Sequence, residues 1–337
     1  MARARAPKAA PRDIYQEVTD AIIEALETAG EWHRPWSDLD ADAGLPRSID
    51  GRPYRGVNTI LLWASALQHG YEHGTWGTFK AWFKDRAATP DEIADGTARK
   101  NRDGDYRVTT RCVRKDEHGT LVTLWKPTSR RASADEVAGG KADENGRIDG
   151  LLLRHFTVFN AAQVEGYEAP AEVERPTGPD AIAHADEFFK NIGAKVTFKG
   201  DRAYYSPGTV DAIVIPKLDT FKSAEHFYAT QAHEHAHWTG HPSRLARDFS
   251  GRFGTEQYAF EELVAELSAA FTGALLGIGS VVRDDHAAYV KNWLRVLRND
   301  KKAIFTAGSH AQKATDYLVN AAGLDEKSES AELAEVA

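Results

Sequence analysis

The sequence predicts an α+β protein of two domains. Its 337 residues exceed the length of one ordinary domain of about 100–200 residues. Segments with helical periodicity alternate with strand-like segments in both halves of the chain. Between the halves, EAPAEVERPTGPD (168–180) holds three prolines in thirteen residues, a composition typical of interdomain linkers. We therefore expect an α/β domain over 13–165, a linker over 166–178, and a second domain over 179–322 with a small sheet and a helical core.

Composition narrows the class of protein. Hydrophobic residues make up 42% and charged residues 27%, as in soluble globular proteins. No apolar run reaches the roughly 20 residues of a membrane span, and the basic start lacks an apolar segment behind it, so we expect a cytoplasmic protein. Residues 1–12 and the acidic 323–337 are expected to be disordered. Because Cys112 is the single cysteine, any transition metal must be held by histidine and carboxylate.

The N-terminal half begins with an amphipathic helix and continues with strands. Apolar residues recur every fourth position after Pro11, and Gly30 follows as a stop signal; these residues are Ile14, Val18, Ile22 and Leu26. VNTILLWASALQHG predicts a second, buried helix. RVTTRCVRK and TLVTLWK alternate like strands around a turn-forming DEHG, so 106–126 predicts a β-hairpin. The polar stretches 88–105 and 129–148 predict surface insertions.

The C-terminal half starts with a helix in PDAIAHADEFFKNIG and short strands near KVTFKG, RAYYS and DAIVIPK, and is helical from about residue 223. One of these helices contains HEHAHWTGH (233–241). On a helix, His233 and His237 project from one face and can share an ion, whereas Glu234 is rotated to lie beside that ion. This is the H-E-x-x-H pattern, in which two imidazoles hold zinc and the glutamate is the base. A histidine-rich helix can also be only a polar surface.

A catalytic zinc generally takes a third protein ligand. The metzincin pattern would require histidine at position 243, which is serine. His241 follows Gly240, the expected helix end, so we interpret it as a residue at the helix end or one that supports the site from outside; its ligation of the metal stays an alternative. Glu262, in EELVAEL of the next helix, lies 25 residues beyond His237 and can return to the metal, which makes it the preferred third ligand.

Helical geometry predicts different orientations for three residues near the proposed ligands. Glu266 lies one turn after Glu262 and is expected to hydrogen-bond the outer nitrogen of a ligating histidine. Glu261 points about 100° away and is expected to face solvent. His235, two positions from His233, is expected to face away from the metal.

The region 51–131 differs in charge from the rest of the protein. It contains 15 Lys/Arg against 9 Asp/Glu, a balance of +6 within a chain of net charge −8. A local basic segment indicates contact with phosphate or another anion, although basic strand faces are often only solvated surface.

Several separate stretches resemble one known family. HEHAHWTGHPSRLARD followed by GTEQYAFEELVAELSAAF resembles the zincin-like metallopeptidase domain of ArdC-type antirestriction proteins, which conjugative plasmids and phages carry. RPYRGVNTILLW, GYEHGTWGTFKAW and LLRHFTVFNAAQVEG resemble the single-stranded-DNA-binding domain of the same family. The likeness covers most of residues 13–320. Two departures are His235, where the family has a hydrophobic residue, and VRKDEHGT, which replaces VRKGEKGT and weakens the positive charge of that turn.

The resemblance implies a function for both halves. It implies ligation of Zn²⁺, or of Mn²⁺ or another divalent metal, by His233, His237 and Glu262, with Glu234 as base, in agreement with the spacing. It also implies that the first domain binds single-stranded DNA without strong sequence preference and that the protein shields incoming plasmid or phage DNA from host restriction. Residue types suited to stacking and phosphate contact give the candidate DNA-binding set Arg52, Tyr54, Arg55, Asn58, Trp76, Lys80, Arg114, Lys115 and Lys126.

Two further expectations concern the chemistry. The zinc peptidase hypothesis requires a peptide substrate, for which the strand DAIVIPK could offer an edge, with Tyr204 or Tyr205 stabilising the oxyanion. The alternative hypothesis is a protein that binds DNA and partners, holds a purely structural metal and cuts no peptide.

Overall fold

A computed structural model describes residues 12–28, 44–139, 143–169, 178–248, 251, 255–278 and 286–324. Its helices are α1 Ile14–Thr28, α2 Val57–His69, α3 Phe79–Trp82, α4 Pro90–Ala94, α5 Ala134–Ala138, α6 Gly178–Asn191, α7 Ala224–Thr239, α8 Glu256–Leu276, α9 His286–Asn299 and α10 Ala303–Ala321. Its strands are β1 Arg47–Ser48, β2 Thr75–Thr78, β3 Lys84–Ala87, β4 Arg99–Lys100, β5 Tyr106–Val113, β6 Thr120–Arg131, β7 Arg147–Asn160, β8 Val164–Glu165, β9 Val196–Phe198, β10 Tyr204–Ser206 and β11 Ala212–Ile215. Short 3₁₀ turns follow β7 and β11. The predicted mixed helix and sheet architecture with two domains is confirmed.

The N-terminal half contains two sheets, with orders β1-β2-β7-β6 and β3-β5-β4, and β8 pairs with β5. The predicted hairpin over 106–126 is wrong. Both strands exist, but β6 pairs along its whole length with β7, whereas β5 pairs with β3, β4 and β8. The end of the connection between β5 and β6 lies close against β7, since a Cβ on Gly119 would lie 2.5 Å from Thr157 Cγ2. Gly119 therefore permits a close approach that a side chain would block.

The two polar stretches expected to be insertions lie at the surface. α4 begins with a capping box between Thr89 and Glu92, and α5 begins with the same arrangement between Ser133 and Glu136. The stretch 129–148 includes the ends of β6 and β7. It is therefore the tip of a long two-stranded ribbon, apart from residues 140–142, which lie outside the described chain.

The C-terminal half has a three-stranded sheet of order β10-β11-β9. The strand DAIVIPK becomes β11, which pairs antiparallel with β10 and parallel with β9. Because β11 is central, the expectation that it offers an edge to a substrate is wrong. The exposed edge that packs against α7 belongs to β10.

Two large apolar cores support helices α7 and α8. One unites α1 and α2 with α8, α9 and α10, through residues such as Ile22, Ile60, Leu263 and Trp293. The other lies between α6, α7, the C-terminal sheet and the end of α10. The N-terminal helices therefore pack on the same core as α8, so the two halves are joined by buried contacts rather than by a linker alone. Most of that linker, 170–177, falls outside the described residues, as do most of the two tails.

None of the described helices is both long and apolar enough to cross a membrane.

Candidate metal centre

Helix α7 positions the two motif histidines. Ser223 caps its first turn by accepting the backbone N–H of His226, and Gly240 follows its last residue. The intervening sixteen residues place His233 and His237 one turn apart, with their Nε2 atoms 3.1 Å from each other. Two nitrogens that face each other at this distance are satisfied by a shared proton or by a common cation.

Glu262 on α8 completes a triangle of donor atoms. Its Oε2 lies 3.4 Å from His233 Nε2, and its Oε1 lies 3.5 Å from His237 Nε2. A tetrahedral zinc with bonds of about 2.0–2.1 Å separates its ligand atoms by about 3.3–3.4 Å. The distances therefore fit one small divalent ion held by these three residues, which form a possible metal-binding group among the described residues.

Buried charge in this triangle favours a cation. Burial alone would lower the pKa of His237, but hydrogen bonds and charges from Glu261 and Glu262 raise that pKa to about 10. Burial likewise opposes ionisation of Glu262, yet the neighbouring histidines lower its pKa well below the usual range. The carboxylate is therefore ionised and requires positive charge beside it, which a divalent ion supplies while leaving both imidazoles neutral.

The outer nitrogens of both histidines face carboxylates on α8. Oε1 of Glu266 lies 3.0 Å from His233 Nδ1, and Oε1 of Glu261 lies 3.1 Å from His237 Nδ1. Carboxylates in these positions fix the tautomer and orientation of ligating imidazoles. Glu266 therefore lies beside the outer nitrogen of His233, and the hydrogen bond expected between them stays a prediction.

The expectation that Glu261 faces solvent is wrong. Its side chain is 8% exposed and forms a bidentate ion pair with Arg247, whose own side chain is 3% exposed. Arg247 also donates to the carbonyl of Ala236 and to Thr239 Oγ1, at the end of α7. Arg247 was missed in the sequence because it lies beyond α7, where no helical repeat relates it to the histidines. It lies in the loop between α7 and α8, and the fold of this loop brings it to the site.

Glu234 follows His233 directly on α7, so helical geometry turns its side chain about 100° from that of His233, and its role as base stays a prediction. The residue is 4% exposed, and its carboxylate forms no hydrogen bond or ion pair with another described residue. A buried carboxylate of this kind is costly unless water, substrate or metal chemistry uses it.

The remaining histidines of the motif are not part of the triangle. His235 is fully buried, its Nδ1 lies 2.7 Å from the carbonyl oxygen of Gln231, and its ring packs 4.9 Å from that of Phe189. Burial lowers the pKa of His235 to about 4, so it is a neutral core residue, as a hydrophobic residue would be. His241 follows the end of α7, and its Nδ1 bonds to Ser243, so the structure places it at the helix end; its support of the metal site stays a prediction.

The expected oxyanion role of Tyr205 is also wrong. Its hydroxyl donates to Asp211 Oδ1 at 2.8 Å, and burial together with Asp211 raises its pKa above the normal range. Arg244 binds both oxygens of Asp211 and lies 3.9 Å from the ring centroid of Trp238. This cluster fixes the β10–β11 turn to the loop after α7. Tyr204 is half exposed and takes no part in it.

The structure separates the candidate DNA-binding residues into two groups. Trp76 is 1% exposed and lies in a core with Leu62 and Val158, so its ring cannot stack on a base. Asn58 holds the backbone of Thr123, donating to its carbonyl oxygen at 2.7 Å and accepting its N–H at 2.8 Å. Both residues are therefore structural, which corrects the prediction for them. Tyr54 packs against the same core as Trp76.

The charged members of that set lie at the surface. Arg55 pairs with Asp316 on α10, and Arg114 pairs with Glu117. The others are exposed without an ion-pair partner among the described residues; they are Arg52, Lys80, Lys115 and Lys126. These four side chains are available to an anion.

Known proteins share both halves of this architecture. Residues 183–310 match the zincin-like metallopeptidase family, and residues 12–159 match the N-terminal domain of anti-restriction factor ArdC. The crystal structure of the antirestriction ArdC protein from plasmid R388, in its metal-free form, is 35% identical, covers 94% of this chain and 100% of its own, and superposes with a TM-score of 0.68. The chain belongs to the ArdC family of antirestriction proteins.

Further relatives place this ArdC-type chain in a wider group. The Mn(II)-bound structure of the R388 protein is 36% identical, with a TM-score of 0.67, and covers 92% of this chain and 98% of its own. An uncharacterized protein, y4eC of Sinorhizobium fredii, is 38% identical over 91% of this chain and 92% of its own length. DNA primase TraC of Escherichia coli is 32% identical over 91% of this chain, which spans only 20% of that relative. The bound Mn(II) of the R388 protein agrees with a divalent metal in this family.

Proposed function

We propose that this antirestriction protein binds single-stranded DNA through its N-terminal half and carries a zinc-type peptidase site in its C-terminal half. The observation that carries the peptidase proposal is the triangle of His233, His237 and Glu262, together with Glu234, the buried residue after His233, which is unpaired among the described residues. A purely structural site needs the ligands but has no use for the additional carboxylate. Protection of incoming plasmid or phage DNA in the cytoplasm of the host is the setting that the family suggests.

The residues have separate parts in peptide hydrolysis. A divalent ion held by His233, His237 and Glu262 would polarise a peptide carbonyl and lower the pKa of a water molecule. Glu234 accepts the proton of the attacking water and returns it to the leaving amine. Glu261 and Glu266 hold the two imidazoles in their ligating orientation.

An extended peptide fits the sheet beside α7. β10 is an edge strand that packs against α7 and is paired only with β11 among the described strands. Its free backbone groups can add an extended chain as a further strand. Tyr204 is exposed on this strand and can contact the side chains of such a peptide.

The variant Glu234→Gln tests the peptidase proposal. We expect it to bind Zn²⁺ or Mn²⁺ as the wild type does, because Glu234 is not a donor of the triangle, and to lose hydrolysis of an unstructured protein such as casein by at least a hundredfold. Glu225→Gln, in the first turn of the same helix, is the matched control and should keep both properties.

The alternative function is that of a DNA-binding protein with a structural metal. It is supported by the placement of the metal donors on both α7 and α8, because a cation bound to them would hold the two helices together. An antirestriction assay in cells separates the two functions. If Glu234→Gln protects DNA as well as the wild type, while His233→Ala unfolds the C-terminal half, the metal is structural and the peptidase proposal is rejected.

A further inference from the structure

The ribbon formed by β6 and β7 extends beyond the sheet to which it belongs. β2 pairs with β7 only at residues 158–160, so from Thr157 to the tip each ribbon strand is paired only with the other among the described strands. Residues 120–131 and 147–160 contain five Lys/Arg and one aspartate. The ribbon is thus a basic projection on a protein of net negative charge.

The register assigns the ribbon side chains to two faces, because directly paired residues in antiparallel strands share a face. One face packs inward only near the sheet: Leu121 and Leu153 contact the core that includes α1 and α2, and the Trp125 ring centroid lies 6.3 Å from that of Tyr15, although Trp125 is 44% exposed. The other face, which we name the outer face, includes the pairs Val122·Phe156, Leu124·Arg154 and Lys126·Leu152. Val122 is buried in a core with Leu62 and Trp76, so the open part of this face begins at Phe156 and Leu124.

The outer face combines exposed apolar side chains with unpaired cations. Leu124, Leu152 and Phe156 are 52%, 47% and 45% exposed, although apolar side chains of this size are usually buried. Lys126 and Arg154 flank them, are exposed, and have no ion-pair partner among the described residues. Contiguous exposed apolar groups of this kind mark a binding surface.

Charge and edge chemistry decide against a second copy of this chain as the occupant. Face-to-face pairing would bring Lys126 and Arg154 of both copies together, which like-charge repulsion disfavours. Pairing through the free edge of β6 is opposed as well. The N–H and carbonyl of Thr123 point to this edge, where they bond to Asn58. Pro127, four residues later, faces the same edge but has no N–H to donate. Proline at such a position protects an edge strand from strand addition.

We infer that the outer face of the β6–β7 ribbon is the surface that takes the single-stranded DNA, with Lys126 and Arg154 on phosphates and Phe156, Leu124 and Leu152 against base faces. The inference rests on the proposed function, since it assigns the place where that function occurs. A single strand presents its base faces to the protein, whereas a duplex hides them in its stack. The exposed apolar groups therefore favour a single strand over a duplex.

Titration of a fluorescent oligothymidine with the full chain, at several salt concentrations, tests the inference. The variant Lys126→Gln/Arg154→Gln removes two cations, so the slope of log K against log salt should become shallower by about 1.4 and affinity at 50 mM salt should fall roughly 10- to 100-fold. Phe156→Ala should weaken binding roughly 5- to 150-fold with an unchanged slope. Lys199→Gln/Arg202→Gln, two exposed cations of the C-terminal half, is the matched control and should bind as the wild type does.

The outcomes distinguish this inference from the proposed function. If the wild type binds no oligothymidine, single-stranded-DNA binding itself is rejected and the surface assignment with it. If the wild type binds and both ribbon variants match it, only the surface assignment is wrong. The assignment would also be overturned if the wild type bound a duplex more tightly than the single strand. It would likewise be overturned if Phe156→Ala changed the oligomeric state but left the DNA affinity unchanged. All the substituted side chains are exposed, so thermal unfolding of the variants should stay at the wild-type temperature.

Discussion

The Nδ1 atom of His237 lies 3.1 Å from Oε1 of Glu261, while Glu262, the next residue, faces Nε2 of the same ring. Two consecutive residues of α8 therefore hold one imidazole from both sides. This is possible because α8 packs closely along α7 and both carboxylates are buried. Arg247 forms an ion pair with Glu261 and neutralises its charge. Three charged groups, Glu261, Glu262 and Arg247, therefore fix the orientation of His237.

Replacement of Glu261 should damage both metal binding and stability. Glu261→Gln removes the charge that orients His237, which should weaken Mn²⁺ or Zn²⁺ binding roughly 10- to 100-fold. It also leaves Arg247 buried without a carboxylate, at a cost of about 3 kcal/mol. Isothermal titration with metal and urea unfolding measure the two effects. Glu256→Gln, at an exposed position of the same helix, should change neither, and a Glu261→Gln variant with wild-type metal affinity would show that Glu261 does not position the ligand.

The site was more predictable than its surroundings. Positions 233, 237 and 262 follow from helical spacing, because a helix repeats its faces regularly and the return helix must pack against it. Spacing could not assign Glu261, since one helix alone does not reveal that Arg247 approaches from a loop. The hairpin prediction failed for a related reason. Alternation predicts a strand but not its partner, and the pairing of β6 with β7 depends on the close approach at Gly119 and on residues 16 to 38 positions away.

Asn58 provides a second prediction, because it holds the edge of β6 through two hydrogen bonds to Thr123. Asn58→Ala should cost about 2 kcal/mol, since it leaves the backbone N–H and carbonyl of a buried residue without partners. The salt dependence of oligonucleotide binding should not change, because the amide contacts no phosphate. Gln68→Ala removes an exposed amide from the same helix and should have little effect in urea unfolding. If Asn58→Ala kept its stability but lost DNA binding, the result would support the direct contact between Asn58 and DNA that the sequence suggested.

The lowered pKa of Asp211 predicts that the free energy of unfolding depends on pH in the acidic range. Hydrogen bonds from Arg244 lower its pKa to about 2 against an ordinary value of 3.8, although burial opposes this. A carboxyl whose pKa is lowered by folding stabilises the protein above its unfolded pKa, and that contribution is lost as the pH falls from about 3.8 toward 2. The difference in unfolding free energy between the wild type and Asp211→Asn should therefore be largest near pH 7 and smaller at pH 3. Urea unfolding of both proteins at the two pH values measures it, and a difference independent of pH would contradict the ion pair with Arg244.

Gly308 on α10 tests whether the two halves of the chain are coupled. A Cβ at this position would lie 2.9 Å from the backbone nitrogen of Val57 and 3.2 Å from the carbonyl carbon of Gly56, at the start of α2. Backbone atoms cannot move aside as a flexible side chain can, so Gly308→Ala should push α2 away from α10. This overpacking costs about 1–3 kcal/mol and exceeds the gain of about 1 kcal/mol that alanine brings to a helix.

The control for this variant is Gly273→Ala in α8, where the new Cβ would meet only Ile278 O, at 3.4 Å, and the helix gain should dominate. Because α1 and α2 share a core with α8 and α10, the wild type should unfold in one calorimetric transition. Gly308→Ala should lower the midpoint or split the transition in two, and Gly273→Ala should do neither. Equal unfolding of the two variants would mean that the contact between α2 and α10 does not couple the N-terminal half to the C-terminal half.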